Sequence, residues 1–247
     1  MSILIIIPAH NEAENLPHVL PHLKRVIPQA DMLVVDDHSS DDTAAVARAL
    51  GARVVGLPNN LGYGGAVQTG FRYGAEFGYD YAVMMDADGQ HDPASVPHLL
   101  APVMADACDV ALGSRFTGEM TYRTSFVRRM GMRMFAAITH AFTGQAITDA
   151  TSGFQAMNRD VMRFFGEENY PSDYPDADTL IMLHFAGFRV KEVPVVMHER
   201  IAGESMHGNS LKSVYYIAKM LLSIFMVYLR YHTQAGALRP TRPEVAR

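Results

Sequence analysis

The sequence predicts an α/β fold: a mainly parallel central sheet with helices on both faces, followed by a long apolar helix near the C-terminus. Three observations carry this reading. Short apolar runs alternate with helically patterned stretches through the first half of the 247 residues. Four of those runs end in polar or turn-forming clusters, at the strand ends where such sheets collect ligands. Composition is that of a folded globular chain, 49% hydrophobic and 19% charged, with no repeat or low-complexity run.

The elements follow in order. "ILIII" (residues 3–7) reads as a buried strand ending at Pro8. Residues 11–27 carry Leu16, Val19, Leu20, Leu23, Val26 and Ile27 at helical spacing; Pro17 suits an early turn, whereas Pro21 is expected to kink or shorten the helix. "MLVVDD" is a second strand. Ser40 or Asp41 should cap a helix running to Leu50, with Gly51 as its stop. "RVVGL" is a third strand, and residues 64–77 form a helix closed by Gly78. "YAVMMD" and "CDVALGS" are the next strands, with a helix between them.

The second half is less regular. Residues 122–142 are patterned as a helix carrying Arg123, Arg128, Arg129 and Arg133, which an ordinary solvated face would also explain. "TSGFQAMN" reads as a strand, "RDVMRFF" as a short helix, residues 176–186 as a helix and "FRVKEVPVVMHER" as a strand entering a loop. Residues 210–231 form a long helix whose apolar side chains surround nearly the whole of its second half. The expected organisation is one main domain over 1–209, a helix over 210–232 that meets a membrane interface or a partner, and a tail over 233–247.

Bulk properties narrow the function. A net charge of −5 carries no basic excess, so no nucleic-acid partner is expected. Cys108 is the single cysteine, which excludes an internal disulfide and fits an intracellular setting. The stretch "MSILIIIPAHNE" lacks the basic start and apolar length of a signal peptide, and no run reaches the length of a spanning helix.

The chemistry concentrates in "VMMDADGQHDP". Asp86 and Asp88 leave a strand one residue apart, and two carboxylates that close repel unless a cation or a shared proton separates them. Two oxygen ligands with open positions suit Mg²⁺ or Mn²⁺ held partly by a substrate's phosphates. Asp36 and Asp37, at another strand end, can accept hydrogen bonds from a base or ribose. "NNLGYGGA" is glycine-rich and opens a helix, where backbone N–H groups approach a nucleotide closely. It matches neither GxxxxGK[ST] nor GxGxxG, which excludes P-loop and Rossmann assignments. His10, His38 and His91 sit in three separate strand-end loops without metal-ligand spacing.

In order, "IPAHNEAENL", "VVDDHSSDDT", "NLGYGGAVQTG", "MDADGQHDP", "GSRF" and "DATSGFQAMNRDVM" resemble a family 2 glycosyltransferase of the GT-A fold, over about residues 3–205. Within that family, "VPVVMHERIAGES" is most similar to the polyprenol-phosphate sugar transferases, dolichyl-phosphate mannosyltransferases among them. The resemblance implies an inverting, metal-dependent enzyme that takes a sugar from a UDP- or GDP-sugar donor to a polyprenyl phosphate acceptor. It places Pro8, His10, Glu12, Asp36, Asp37, Asn60, Gly62 and Gly65 at the nucleotide. Asp86, Asp88 and Gln90 fall at the metal, Mg²⁺ or Mn²⁺. Arg115, Arg128, Arg129, Arg200 and Ser205 fall at the acceptor phosphate. The family pattern continues with a lysine where this chain has Met206 and His207, and His207 is the candidate substitute. Asp86, Asp88, Arg115 and Asp176 are the expected catalytic set.

The physics agrees. A sugar nucleotide breaks through an oxocarbenium-like state and leaves a diphosphate whose charge needs a cation. A phosphate acceptor is already ionised and needs arginine to position it, whereas a hydroxyl acceptor needs a general base. Asp176 and Asp178 in "YPDADTL" are the candidates for that alternative. Outside this class, a phosphohydrolase, a nucleotidyltransferase and an inactive nucleotide-sugar binding module also compete. The expected location is peripheral, at the cytoplasmic face of a membrane. A small membrane protein or a second copy of the chain are further candidate partners.

Overall fold

The structure, a computed structural model, describes residues 1–116, 126–167, 170, 171, 175–198 and 210–233, with 126–129 and 210–214 described by their backbone alone. The elements in chain order are β1 (Ile3–Ala9), α1 (Leu16–Val26), β2 (Asp31–Asp36), α2 (Thr43–Ala49), β3 (Arg53–Gly56), α3 (Gly62–Glu76), β4 (Tyr81–Met84), α4 (Val96–Met104), β5 (Val110–Ser114), α5 (Phe126–Thr143), β6 (Gln155–Asn158), α6 (Arg159–Gly166), α7 (Ala177–Phe185), β7 (Val190–Pro194) and α8 (Ser210–Thr233). The seven strands lie in the order β3-β2-β1-β4-β6-β5-β7. All pairings are parallel except those of β6, which runs antiparallel to both β4 and β5.

The strand period of two divides the core into two layers. Leu4, Ile6, Leu33 and Val35 point to one face, where α3, α5, α6 and α7 cover them. Ile3, Ile5, Ile7, Met32 and Val34 point to the other, against α1 and α4. Two glycines of α3 leave room for it to pack directly on β1 and on α6. A Cβ on Gly70 would sit 2.3 Å from Ile6 Cγ2, and one on Gly74 2.2 Å from Met162 Sδ of α6. Cys108 is buried just before β5.

Several sequence expectations change in detail. The first helix begins at Leu16, because Asn11 takes a left-handed backbone (φ 57°) and its side chain accepts from the Ser40 N–H. Pro21 lies inside α1 without ending it. The N–H it lacks would have paired with Pro17 in the first turn, so one bond is lost at the helix start. Thr151 to Phe154 do not extend β6, which begins at Gln155. Helix α8 packs one of its sides on the core. Met220 and Ile224 are buried in the core and Tyr216, Ile217, Val227 and Tyr231 pack against it. Among the described residues no helix is long and apolar enough to cross a membrane.

Candidate active site

The carboxyl ends of β1, β2, β4 and β5 share one edge of the sheet. Because β6 is reversed, the loop that precedes it reaches the same edge. Residues far apart in sequence meet there.

The loops after β1 and β2 are sewn together. Asn11 N–H donates to Ser39 Oγ at 2.9 Å, Glu12 N–H to Thr43 Oγ1 at 2.8 Å, and Ala13 N–H to Asp41 Oδ2 at 3.1 Å. Asp41 also takes the Thr43 N–H at the start of α2, and these bonds hold its carboxyl below the usual range against the opposing effect of burial. His10 donates from Nδ1 to the Asp37 carbonyl at 2.9 Å, which fixes its tautomer and leaves Nε2 to accept from Asn11 at 3.3 Å. Asp36 accepts from the Ser39 N–H at 3.0 Å, and Asp37 from the Leu61 N–H at 2.7 Å. The second bond pulls the glycine-rich loop onto β2. Pro8 lies within β1, and Asn60 accepts from the Gly62 N–H at 3.0 Å, with Gly62 at φ 80°. A Cβ on Gly65 would meet the Leu61 side chain at 2.6 Å, so the loop packs tightly on itself at this position.

The carboxylate pair stands at the centre. Asp86 accepts at Oδ1 from the Tyr63 hydroxyl at 2.9 Å, and that hydroxyl is pushed well above its usual range by burial and by the charge of Asp86. The Asp86 N–H donates to His91 Nδ1 at 3.0 Å, so the ring carries its proton on Nε2, 3.8 Å from Asp86 Oδ2. The imidazole is held in this pose by stacking on Phe154, with centroids 4.7 Å apart. Asp88 is buried and accepts from the Gln90 N–H at 3.0 Å across Gly89, whose φ of 77° makes the turn. Gln90 O accepts from the His198 N–H at 2.7 Å, which straps this loop to the chain beyond β7. Gly153 closes over Asp86. A Cβ there would lie 2.9 Å from the Tyr63 oxygen and 3.7 Å from both Asp86 carboxylate oxygens.

The donor set fits a hard divalent cation in one particular way. Two carboxylates separated by one residue suit an ion that completes its shell with substrate oxygens and water.

On the β5 side the arrangement is ionic. Arg115 binds Asp149 through both Nε and Nη2 at 2.7 Å, and its backbone N–H reaches the same carboxylate at 3.1 Å. Asp149 is fully buried. The bidentate pair therefore anchors Arg115 to the loop that precedes β6. Glu192 of β7 supports the loop by accepting from the N–H groups of Thr148 and Asp149 at 2.9 and 2.7 Å. Asp176 stands close enough to feel Arg115 and Asp149. Burial raises its carboxyl to about 7, opposed by a hydrogen bond from the Tyr216 hydroxyl of α8. Asp178, two residues on, is buried, its carboxyl likewise pushed up by burial, and accepts from Ser223 of α8.

The structure thus brings together Asp36, Asp37, Asp86, Asp88, Arg115 and Asp176 from the sequence-derived set. The side chains of Arg128 and Arg129, and all of Arg200, Ser205 and His207, lie outside the described residues. Sequence reasoning missed Tyr63, Glu192, Tyr216 and Ser223, and gave His91 no role beside Asp86. Tyr63 sits inside a stretch already singled out for its glycines; the other partners come from distant parts of the chain.

A parallel sheet edge that gathers Asp36, Asp37 and the Asp86–Asp88 pair at neighbouring strand ends is the ligand-binding edge of an α/β enzyme. The comparisons make this specific. Residues 4–165 match the glycosyl transferase family 2 model, and the chain belongs to that family: it is a glycosyltransferase. It is 37% identical to an undecaprenyl-phosphate mannosyltransferase of Micrococcus luteus, over 83% of this chain and 87% of that one. It is 36% identical to a polyprenol monophosphomannose synthase of Mycolicibacterium smegmatis, over 85% and 82%. Its fold is similar to that of glucosyl-3-phosphoglycerate synthase from Mycobacterium tuberculosis, solved with Mn²⁺, UDP and glucosyl-3-phosphoglycerate (TM-score 0.69, 21% identity, 92% of this chain and 78% of that one).

Proposed function

We propose that this glycosyltransferase moves a sugar from a UDP- or GDP-sugar to a polyprenyl phosphate, with inversion at the anomeric carbon. The observation that carries the reading is the similarity, across more than four-fifths of the chain, to two proteins named for polyprenyl-phosphate mannose transfer. The site geometry is compatible with it. Asp36 and Asp37 would receive the nucleoside, on the platform that the His10–Asp37 and Asn11–Ser39 bonds make rigid. Asp86 and Asp88, with Gln90 beside them, would hold Mg²⁺ or Mn²⁺; the ion supplies positive charge to the leaving diphosphate. Tyr63 holds the Asp86 carboxylate and His91 accepts its backbone N–H, so little reorganisation is needed as charge develops. A phosphate oxygen of the acceptor attacks the anomeric carbon, the carbon–oxygen bond to the diphosphate breaks, and a nucleoside diphosphate leaves. The acceptor is an anion already, so the protein needs to orient it without removing a proton. The substrate would place the enzyme at the cytoplasmic face of a membrane.

A second reading rests on one observation. Asp176, held near neutrality, is tuned as a general base for a hydroxyl acceptor would be. Its hydrogen bond from Tyr216 gives it a structural use as well. The two readings separate in one experiment: UDP- and GDP-sugars supplied with a short polyprenyl phosphate, with soluble sugars, and with neither, the product identified by mass spectrometry and its anomeric configuration by NMR. Transfer that requires the lipid phosphate and gives a β-linked product from an α-linked donor supports the first reading. Transfer to a soluble hydroxyl, lost in Asp176→Asn, replaces it with the second.

A further inference from the structure

Helix α8 has two apolar faces, and only one of them is covered. At 100° per residue, Tyr216, Met220, Ile224, Val227 and Tyr231 share the side that packs on the core. Tyr215, Leu221, Leu222, Phe225, Met226 and Leu229 share the opposite side, each more than a third exposed. A soluble surface helix places polar residues there. Lys219 and Arg230 lie at one border between the faces, and residues 210–233 contain no aspartate or glutamate. We infer that the outward face of α8 is a contact surface for an anionic lipid bilayer, lying in the headgroup region with its cations toward lipid phosphates.

Three points favour a bilayer over other occupants. The all-cationic helix is complementary to a negatively charged surface. The strip from Tyr215 to Leu229 is about 22 Å long and about 10 Å across, well short of the roughly 800 Å² per partner of a stable protein interface. The helix is too short in apolar length to leave the interface and span, which fits the pattern of amphipathic helices that lie in the plane of a membrane. The same helix sends Tyr216 and Ser223 to Asp176 and Asp178, so a bilayer on its outer face lies one helix diameter from the site. The surface deepens the lipid-acceptor reading, from which its biological sense derives.

The test is flotation of the full-length chain, without substrates, on vesicles of phosphatidylcholine alone and of phosphatidylcholine with phosphatidylglycerol. The intact chain should float with the anionic vesicles and lose most of that binding in high salt. The variant L222Q/F225Q/M226Q should bind at least tenfold less, with an unchanged melting temperature because its positions face outward. K219Q/R230Q serves if the first variant unfolds, and should lose the preference for anionic lipid. Absence of flotation, equal flotation by the variants, or a dimer in sedimentation that L222Q/F225Q/M226Q dissociates would overturn the inference. Turnover of a short-chain acceptor in detergent reports on the function separately. Flotation without turnover of any polyprenyl phosphate would sink the acceptor reading and leave the surface standing.

Discussion

The shared edge of the sheet is built in two different ways on its two sides. At β1, β2 and β4, aspartates are held mainly by backbone N–H groups: Asp36 by Ser39, Asp37 by Leu61, Asp88 by Gln90. At β5 and β7, and where α7 meets α8, charged side chains hold one another or take hydroxyls: Arg115 with Asp149, Asp176 with Tyr216, Asp178 with Ser223. Backbone dipoles come with the loop and survive a change in any one side chain. A buried ion pair fails when either member is removed, because the survivor keeps its desolvation cost. The first side is therefore suited to presenting charge to a ligand, and the second to holding distant elements in place.

Removing Asp149 is the harshest test of this contrast. Asp149→Ala strands Arg115 in a site where only 11% of its side chain is exposed, and should cost about 3–5 kcal/mol by denaturant unfolding. Loss of activity with unchanged stability would mean that Arg115 is an acceptor ligand first and an anchor second. On the other side, Asp88→Asn should leave stability almost untouched while lowering kcat/KM by about 10²–10³-fold, as removal of one group that supports a developing charge does. Mn²⁺ titration of the variant without substrates should show weakened binding; an unchanged affinity removes Asp88 from the cation site.

Tyr216→Phe should lower stability by about 1.5–3 kcal/mol at a pH where Asp176 is ionised, the scale of a hydrogen bond to a charged group. Asp176 adds a pH dependence of defined sign. Its carboxyl lies at about 7 in the folded chain against an ordinary 3.8, so the folded state retains a proton through that interval which the unfolded chain has lost. Its contribution to stability is complete below about pH 4 and disappears as pH rises through about 7. Asp176→Asn should abolish that part of the slope, and unfolding midpoints measured from pH 4 to 8 check it. The smallest effect is expected at Asp36→Asn, about 1 kcal/mol or less, because an amide oxygen can still accept the Ser39 N–H. A large loss there would show that the two sides are not as different as their bonding.

The difference also explains what could be read from the sequence. Each strand and helix of the first half was legible, since apolar periodicity and glycine stops are local signals; so were Asp36, Asp37, Asp86 and Asp88, which sit where those signals place strand ends. The start of α1 was read early because side-chain bonds from Asn11 to the neighbouring loop outcompete helix formation there. The partners of Arg115 and Asp176 were not legible. Asp149 is 34 positions from Arg115, and Tyr216 is 40 from Asp176. No periodicity links residues that meet only after the sheet closes.

By itself the sequence determined a mainly parallel sheet, a polar edge at its strand ends and an aspartate pair at the end of one strand, because each depends on the conformation of a few adjacent residues. Only the tertiary structure decided that β6 runs backward and lays Gly153 over Asp86, that Arg115 is locked to Asp149, and that α8 covers one apolar face and leaves the other bare. Strand direction and helix docking are chosen by the total burial of surfaces contributed from the whole chain, and no single segment carries that sum.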